Sequence, residues 1–156
     1  MVGFEQIREA HTLIQGHVVR TPVVRCASID DAFGAEFFLK CENQQAAGVF
    51  KSRGASNAVF SLSAEEAERG VVTHSSGNHA AALARAAGRR GIPAFIVMPE
   101  NARRQKIKAV QDYGGQITFC APTLADRETT AERVIQATGG TLIHPYDDDR
   151  IIAGQG

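Results

Sequence analysis

Two short segments carry the residue types that chemistry needs. The first is centred on Lys51, which follows Gly48-Val49-Phe50 and precedes Ser52-Arg53-Gly54, where a loop gives way to a helix. An amine beside Phe50 in a partly dry pocket loses hydration that stabilises its charged form. Its pKa then falls, and the neutral amine becomes a nucleophile able to form a Schiff base with a carbonyl carbon. A solvated lysine at a helix start would carry the same local sequence and do none of this. The second segment is Thr73-His74-Ser75-Ser76-Gly77-Asn78-His79, after an apolar run and before an alanine-rich stretch. A strand–loop–helix transition at the carboxyl edge of a parallel sheet is where ligands bind in such folds. Backbone N–H groups at a helix start suit a carboxylate or a phosphate. Gly77 lets the backbone approach closely, and Asn78 adds a side-chain amide. Plain helix capping by Ser76 or Asn78 is the alternative. His74 and His79 read as structural, because neither has neighbours in metal-ligand spacing.

Other segments are weaker. Gly114-Gly115, Gly139-Gly140 and the ending Ile152-Ala153-Gly154-Gln155-Gly156 read as caps or turns, and no GxGxxG, Walker A or GxSxG pattern is present. Arg103-Arg104-Gln105-Lys106 with Lys108 reads as a solvated helix face. Asp147-Asp148-Asp149 beside Pro145 reads as an acidic turn rather than a cation site.

The elements that must position Lys51 and the 73–79 loop follow from periodicity. Residues 4–15 place Phe4, Ile7 and Ile14 on one helical face. Thr21-Pro22 breaks that pattern, and 36–41 reads as a strand without a partner in the unit that follows. RGASNAVFSL, from Arg53, is helix-like, and Ser63 is suited to cap a helix over 64–69 closed by Gly70. Apolar runs at 71–73, 94–98, 116–120 and 141–143 then alternate with helices at 78–90, 102–113 and 124–138. This alternation predicts an α/β fold, three-layered, with a four-stranded parallel sheet. HPYDDDRIIAGQG is expected to be turn-like and to stop without a closing element.

The chain has 156 residues, 44% hydrophobic and 22% charged, which suits a globular domain rather than a disordered one. Seventeen basic residues balance seventeen acidic ones, so nothing attracts nucleic acid, and 6% aromatic content without Trp gives no base-stacking platform. No apolar run reaches the roughly 18 residues of a membrane span, and the N-terminus lacks a signal-like stretch. Three scattered cysteines fit free thiols in a reducing cytoplasm.

Taken together the motifs resemble a known family. KCENQQAAGVFKSRGASNAVFSL is similar to the lysine segment of the pyridoxal-phosphate enzymes of the tryptophan-synthase-β fold type, fold type II. THSSGNHAAALARAA is similar to their asparagine loop. HSSGNHA, VMPENA and HPYDDDRIIAGQG resemble the serine/threonine dehydratase and serine racemase branch. The resemblance implies pyridoxal 5'-phosphate bound as an aldimine to Lys51, which also acts as the base on the substrate α-proton. It implies Phe50 against the cofactor ring and Asn78 on the ring's phenolic oxygen. Ser75, Ser76, Gly77, Asn78 and His79 would line the substrate carboxylate site, and Ser76 would be the acid/base on the opposite face. AGVFK departs from the usual TGSFK or GAFK at Ala47 and Val49, which touches contacts beside the lysine and not the lysine itself.

The implied activity is dehydration of L-threonine or L-serine to a 2-oxo acid and ammonia. Serine racemase and 3-hydroxyaspartate dehydratase are the alternatives within the same chemistry, and a non-catalytic amino-acid-binding α/β module is the alternative outside it. Family members are longer, in keeping with two domains. Residues 1–49 are therefore expected to begin a large domain, 50–144 to form the small one, and 145–156 to return to the large one. The phosphate-binding loop and the ligands of any divalent cation would lie outside this chain. Little turnover is expected from the chain alone, and a homodimer from the full-length enzyme.

Overall fold

A computed structural model describes residues 1–156. The first third contains helix α1 (Phe4–Ile14), strand β1 (Val23–Val24), helix α2 (Ala27–Phe33) and strand β2 (Leu39–Lys40). Helices α3 (Lys51–Phe60) and α4 (Ala64–Arg69) lead into the alternating unit. That unit is β3 (Val71–His74), α5 (Asn78–Arg90), β4 (Ala94–Pro99), α6 (Arg104–Asp112), β5 (Gln116–Cys120), α7 (Leu124–Thr138) and β6 (Thr141–Leu142). Helix α8 (Asp149–Gln155) closes the chain.

The four-stranded sheet is parallel throughout and ordered β5-β4-β3-β6. Its central strands β3 and β4 are almost wholly buried, as a doubly covered parallel sheet requires, whereas the edge strands β5 and β6 are largely exposed. Alternate side chains divide between two cores. Val71, Ile96 and Met98 join the larger one with Ala55, Val59, Leu83, Val110 and Ile151, from α3, α5, α6 and α8. Val72, Val97 and Cys120 point the other way and meet Ala131 of α7. The α/β, three-layer expectation is thereby met. Six buried alanines on α5 remove side-chain bulk on the face it turns inward, so the helix lies close to its neighbours. The chain runs outward through β3, β4 and β5. Helix α7 then crosses the other face and delivers β6 to the free edge of β3.

Three expectations need correction, and one helix was not foreseen. The 36–41 segment is a strand only at Leu39–Lys40; it has no partner in the alternating unit, as expected, and pairs antiparallel with β1 in a separate two-stranded sheet, Val23 opposite Lys40 and Val24 opposite Leu39. Helix α2 was not legible, because it is only seven residues long and none of them is buried. Helix α3 begins at Lys51 rather than Arg53. The ending is not turn-like beyond Asp148. The Asp148 carboxylate accepts from the Arg150 N–H (2.9 Å) and starts α8, which buries Ile151, Ala153 and Gly154. Gly154 sits where α8 crosses α3, and a Cβ there would lie 2.8 Å from the Gly54 Cα. The glycine is a contact between helices, not a turn.

Candidate active site

The loop that leads to Lys51 is held from both sides. Gln45 is buried, and its amide imitates a strand partner for Val19: Oε1 accepts from the Val19 N–H (2.8 Å) and Nε2 donates to the Val19 carbonyl (2.9 Å). Ala47 adopts a left-handed φ of 58°, unusual for a residue with a Cβ. Ser52 Oγ donates to the Ala46 carbonyl. Glu42 accepts from Arg53 through both of its oxygens (2.9 and 2.7 Å) and from the Thr21 hydroxyl (2.6 Å). The Arg53 hydrogen bonds hold the Glu42 carboxyl at about 2, well below its ordinary 4.5.

That depression ties stability to pH. The charged Glu42 contributes fully above about 4.5, and its contribution is lost as pH falls toward about 2. Glu42→Gln is expected to cost about 1–3 kcal/mol at neutral pH and to flatten the acid side of the stability profile. Thermal unfolding at several pH values checks this, and parallel profiles for both proteins would dismiss it.

Lys51 is the first residue of α3, half-buried, with its amine donating to the Pro145 carbonyl (2.7 Å) beyond β6. Burial lowers its pKa. The amine lies 5.2 Å from the centre of the Phe50 ring, whose residue is 47% exposed. Lys51 therefore reaches the carboxyl ends of β3 and β6. The 75–79 loop and the turn after Ile143 leave the sheet side by side at this edge, and a crevice at the carboxyl ends of parallel strands is where ligands bind in such folds.

The 75–79 loop leaves β3 at the same edge. Ser75 is still part of the ladder, its N–H donating to the Val97 carbonyl (3.0 Å), while its hydroxyl accepts from the Gly77 N–H (3.3 Å). Ser76 is exposed. The N-cap of α5 is Gly77, and no side chain caps the helix. The capping role open to Ser76 or Asn78 is not taken, so the first-turn N–H groups keep no side-chain partner. A Cβ on Gly77 would meet nothing within 4 Å, so the space above it is open. The Asn78 Oδ1 accepts from Lys106 of α6, which leaves its NH2 group to donate elsewhere.

The histidines are deeper. His79 is 3% exposed with neither ring nitrogen hydrogen-bonded, so its contribution to the loop surface is its backbone N–H. Burial first, then the charge of Lys51, pushes its pKa down to about 4, and a smaller effect of the Ile143 backbone opposes them. The ring is neutral at physiological pH. His74 is 6% exposed and meets His144 edge-to-face at 5.5 Å, and burial lowers its pKa as well.

Sequence reasoning missed the cations. Ser76 opens onto a cleft of about 390 Å³ shared with Asn101, Arg103, Lys106 and Arg127 and lined by no carboxylate. Arg103 and Lys106, a solvated helix face by sequence alone, line this cleft. The missing signal was topological: α6 and α7 both start at the sheet edge where Ser76 emerges. Phe50 is not in this cleft. It lines another, of about 710 Å³, with His11, Lys40 and Arg53.

Residues 14–156 match the family model described as pyridoxal-phosphate dependent enzyme. The chain belongs to this family. It is 53% identical over 150 residues to the serine racemase of Arabidopsis thaliana, covering 96% of this chain and 45% of that protein. It is 49% identical over 153 residues to the beta-hydroxyaspartate dehydratase of Paracoccus denitrificans, covering 98% and 49%. The structure of maize serine racemase superposes with a TM-score of 0.96 at 49% identity, covering 98% of this chain and 46% of that one. The α/β architecture is thus the fold type II one. The chain spans about half the length of the relatives it matches. No helix is long and apolar enough to cross a membrane.

The residues present fit the family's cofactor. A half-buried amine of lowered pKa answers the aldehyde, and the exposed Phe50 offers an aromatic face. The free Asn78 NH2 group offers donors to an oxygen. The uncapped start of α5 accommodates an anion.

Proposed function

We propose that this chain supplies the lysine side of a pyridoxal-phosphate enzyme that works at the α-carbon of a small hydroxy-amino acid. Serine racemisation and β-hydroxy-acid dehydration come ahead of L-threonine dehydration. The observation that carries the reading is the Lys51 amine, desolvated and held at the crevice edge beside an uncapped helix. Pyridoxal phosphate, when bound, supplies an aldehyde that condenses with amines and a ring that accepts the electron pair left by a departing α-proton.

The chain's own residues do the rest. Lys51, with a larger neutral fraction than a solvated lysine, would attack the cofactor's carbonyl carbon with loss of water, and once the substrate's amino group has displaced it the freed Nζ would take the α-proton. Asn78 would donate its NH2 group to the cofactor's phenolic oxygen, and Phe50, which lines the neighbouring cleft but whose ring centre is 5.2 Å from the Lys51 amine, would cover the ring. The N–H groups at Gly77, Asn78 and His79, with the Ser75 and Ser76 hydroxyls, orient the substrate carboxylate. Ser76 holds a proton for the face away from Lys51. Return of a proton from Ser76 would invert the centre, whereas departure of the β-hydroxyl with a proton, as water, would leave an enamine that a second water hydrolyses to the 2-oxo acid and ammonia. Undiminished inversion in Ser76→Ala would remove Ser76 from this role.

A second reading is favoured by the cleft beside Ser76. Arg103, Lys106 and Arg127 converge there without a carboxylate. Such a cleft suits a substrate bearing a second carboxylate, as 3-hydroxyaspartate does.

The decisive experiment adds pyridoxal phosphate to the chain, reduces with borohydride and maps the peptides. A reduced adduct concentrated on Lys51, and lost in Lys51→Ala, is expected. Labelling spread evenly over Lys40, Lys51, Lys106 and Lys108 would overturn the reading and favour a non-catalytic amino-acid-binding module.

A further inference from the structure

Lys51 is joined to a turn 94 positions away in the chain, and that turn is built around a histidine. His144 follows β6 and Ile143. Its Nδ1 accepts from the Asp147 N–H (2.9 Å) and, more weakly, from the Tyr146 N–H (3.4 Å). An accepting Nδ1 carries no proton, so the neutral ring is protonated on Nε2. The ring is wedged edge-to-face between His74 (5.5 Å) and Tyr146 (4.5 Å). Pro145, with its φ fixed by the pyrrolidine ring, lies inside this turn and turns its carbonyl to the Lys51 amine. Below the turn, Asp148 starts α8, and α8 is locked to the helix that Lys51 begins. Asn57 of α3 donates to the Arg150 carbonyl (2.8 Å), and Gly54 meets Gly154.

We infer that His144 is a positioning residue: by accepting the Tyr146 and Asp147 N–H groups it sets the turn whose Pro145 carbonyl docks the Lys51 amine. The inference rests on the reading of Lys51 as the reactive amine. A lysine released during a reaction has a flexible four-carbon stem and would otherwise return to water. The carbonyl gives it one place to wait, in reach of the crevice and short of full hydration. The titratable groups around that place are His79 from α5, His74 from β3, and His144, Tyr146 and Asp147 of the turn itself. Tyr146 and Asp147 are exposed, and burial is what lowers the Lys51 pKa, so no ion pair holds the amine.

Two variants separate the acceptor from the ring. His144→Phe keeps an aromatic ring between His74 and Tyr146 and loses the acceptor. His144→Asn loses the ring and keeps an oxygen able to accept from the N–H groups two and three residues on, as asparagine does at turns. Each lysine is labelled competitively with acetic anhydride across pH, with exposed Lys40 and Lys108 as internal references and circular dichroism as the check on folding. In the unmodified chain the Lys51 midpoint is expected below the references. In His144→Phe it should rise by about one pH unit, a roughly tenfold loss of reactivity at neutral pH. His144→Asn should stay within about twofold of the unmodified chain. A Lys51 midpoint unmoved in a folded His144→Phe would overturn the inference. So would His144→Asn shifting like His144→Phe, because ring packing would then be what matters. A Lys51 that labels like the references in the unmodified chain would instead overturn the reading of Lys51 itself.

Discussion

3-Hydroxyaspartate is expected to bind the chain about 10- to 100-fold more tightly than serine, and Arg127→Gln to remove most of that preference. The two ligands share the α-amino and α-carboxylate groups, so the difference isolates the second carboxylate. A hydrogen bond to a charged group contributes about 1.5–3 kcal/mol, which corresponds to that range. The cleft beside Ser76 offers Arg103, Lys106 and Arg127 and no competing acid. Arg127 is itself steadied, its Nε donating to the Thr123 carbonyl (3.2 Å), so the rest of the guanidinium is available. Calorimetric titration with each amino acid, at low and at raised salt, measures the effect. The preference should shrink as salt rises, because the cleft is open to solvent and its charges are screened. Equal affinities for the two ligands, or an Arg127→Gln protein with the preference intact, would leave serine as the better-supported substrate.

Gly154→Val is expected to destabilise the chain by about 3 kcal/mol or more, and to reduce trapping of Lys51 in whatever fraction stays folded. A Cβ at position 154 would stand 2.6 Å from the Asn57 Cβ, 2.8 Å from the Gly54 Cα and 2.9 Å from the Arg53 carbonyl. Two of those three atoms are backbone, so relief requires α8 to move off α3 rather than a side chain to rotate. Lys51 begins α3, and its acceptor Pro145 lies just before α8, so separating the helices also stretches the 2.7 Å contact between them. Urea unfolding gives the energy and borohydride trapping gives the consequence for the site. An unchanged midpoint would mean that the crossing is slack, and the positioning of Lys51 would need another source.

The alternating unit was legible because its signals are local and repeated. β-branched runs, an alanine-rich stretch and glycines at helix ends each fix a short piece of backbone. Ser63 shows this well: its hydroxyl accepts from the Glu66 N–H (3.1 Å) and Glu66 returns the bond to the Ser63 N–H (2.8 Å), a capping box readable from the spacing alone. Helix α8 was not legible, because Asp147-Asp148-Asp149 beside a proline suits a turn as well as a helix start. What decides for the helix is Ile151 buried against the larger core, a partner about ninety residues away. The short strand β2 was over-extended for the same reason: an apolar 36–41 run reads as a strand, yet only Leu39 and Lys40 have partners in β1.

For the site, the sequence by itself determined which groups exist and on which local frames they stand. Lys51 lies where a loop meets a helix, and Ser75 to His79 lie where a strand becomes one, since both transitions depend on neighbours a few residues away. Tertiary structure alone decided what each group meets. It brought the Pro145 carbonyl to Lys51, Lys106 to Asn78, and Arg103 and Arg127 to Ser76, and it left α5 without a side-chain cap. The physical reason is distance along the chain. Backbone preferences act over one or two turns, whereas burial of an amine or convergence of like charges is set when the sheet order brings distant loops to one edge. A depressed lysine pKa and an acid-free cleft are properties of that edge rather than of any segment in it.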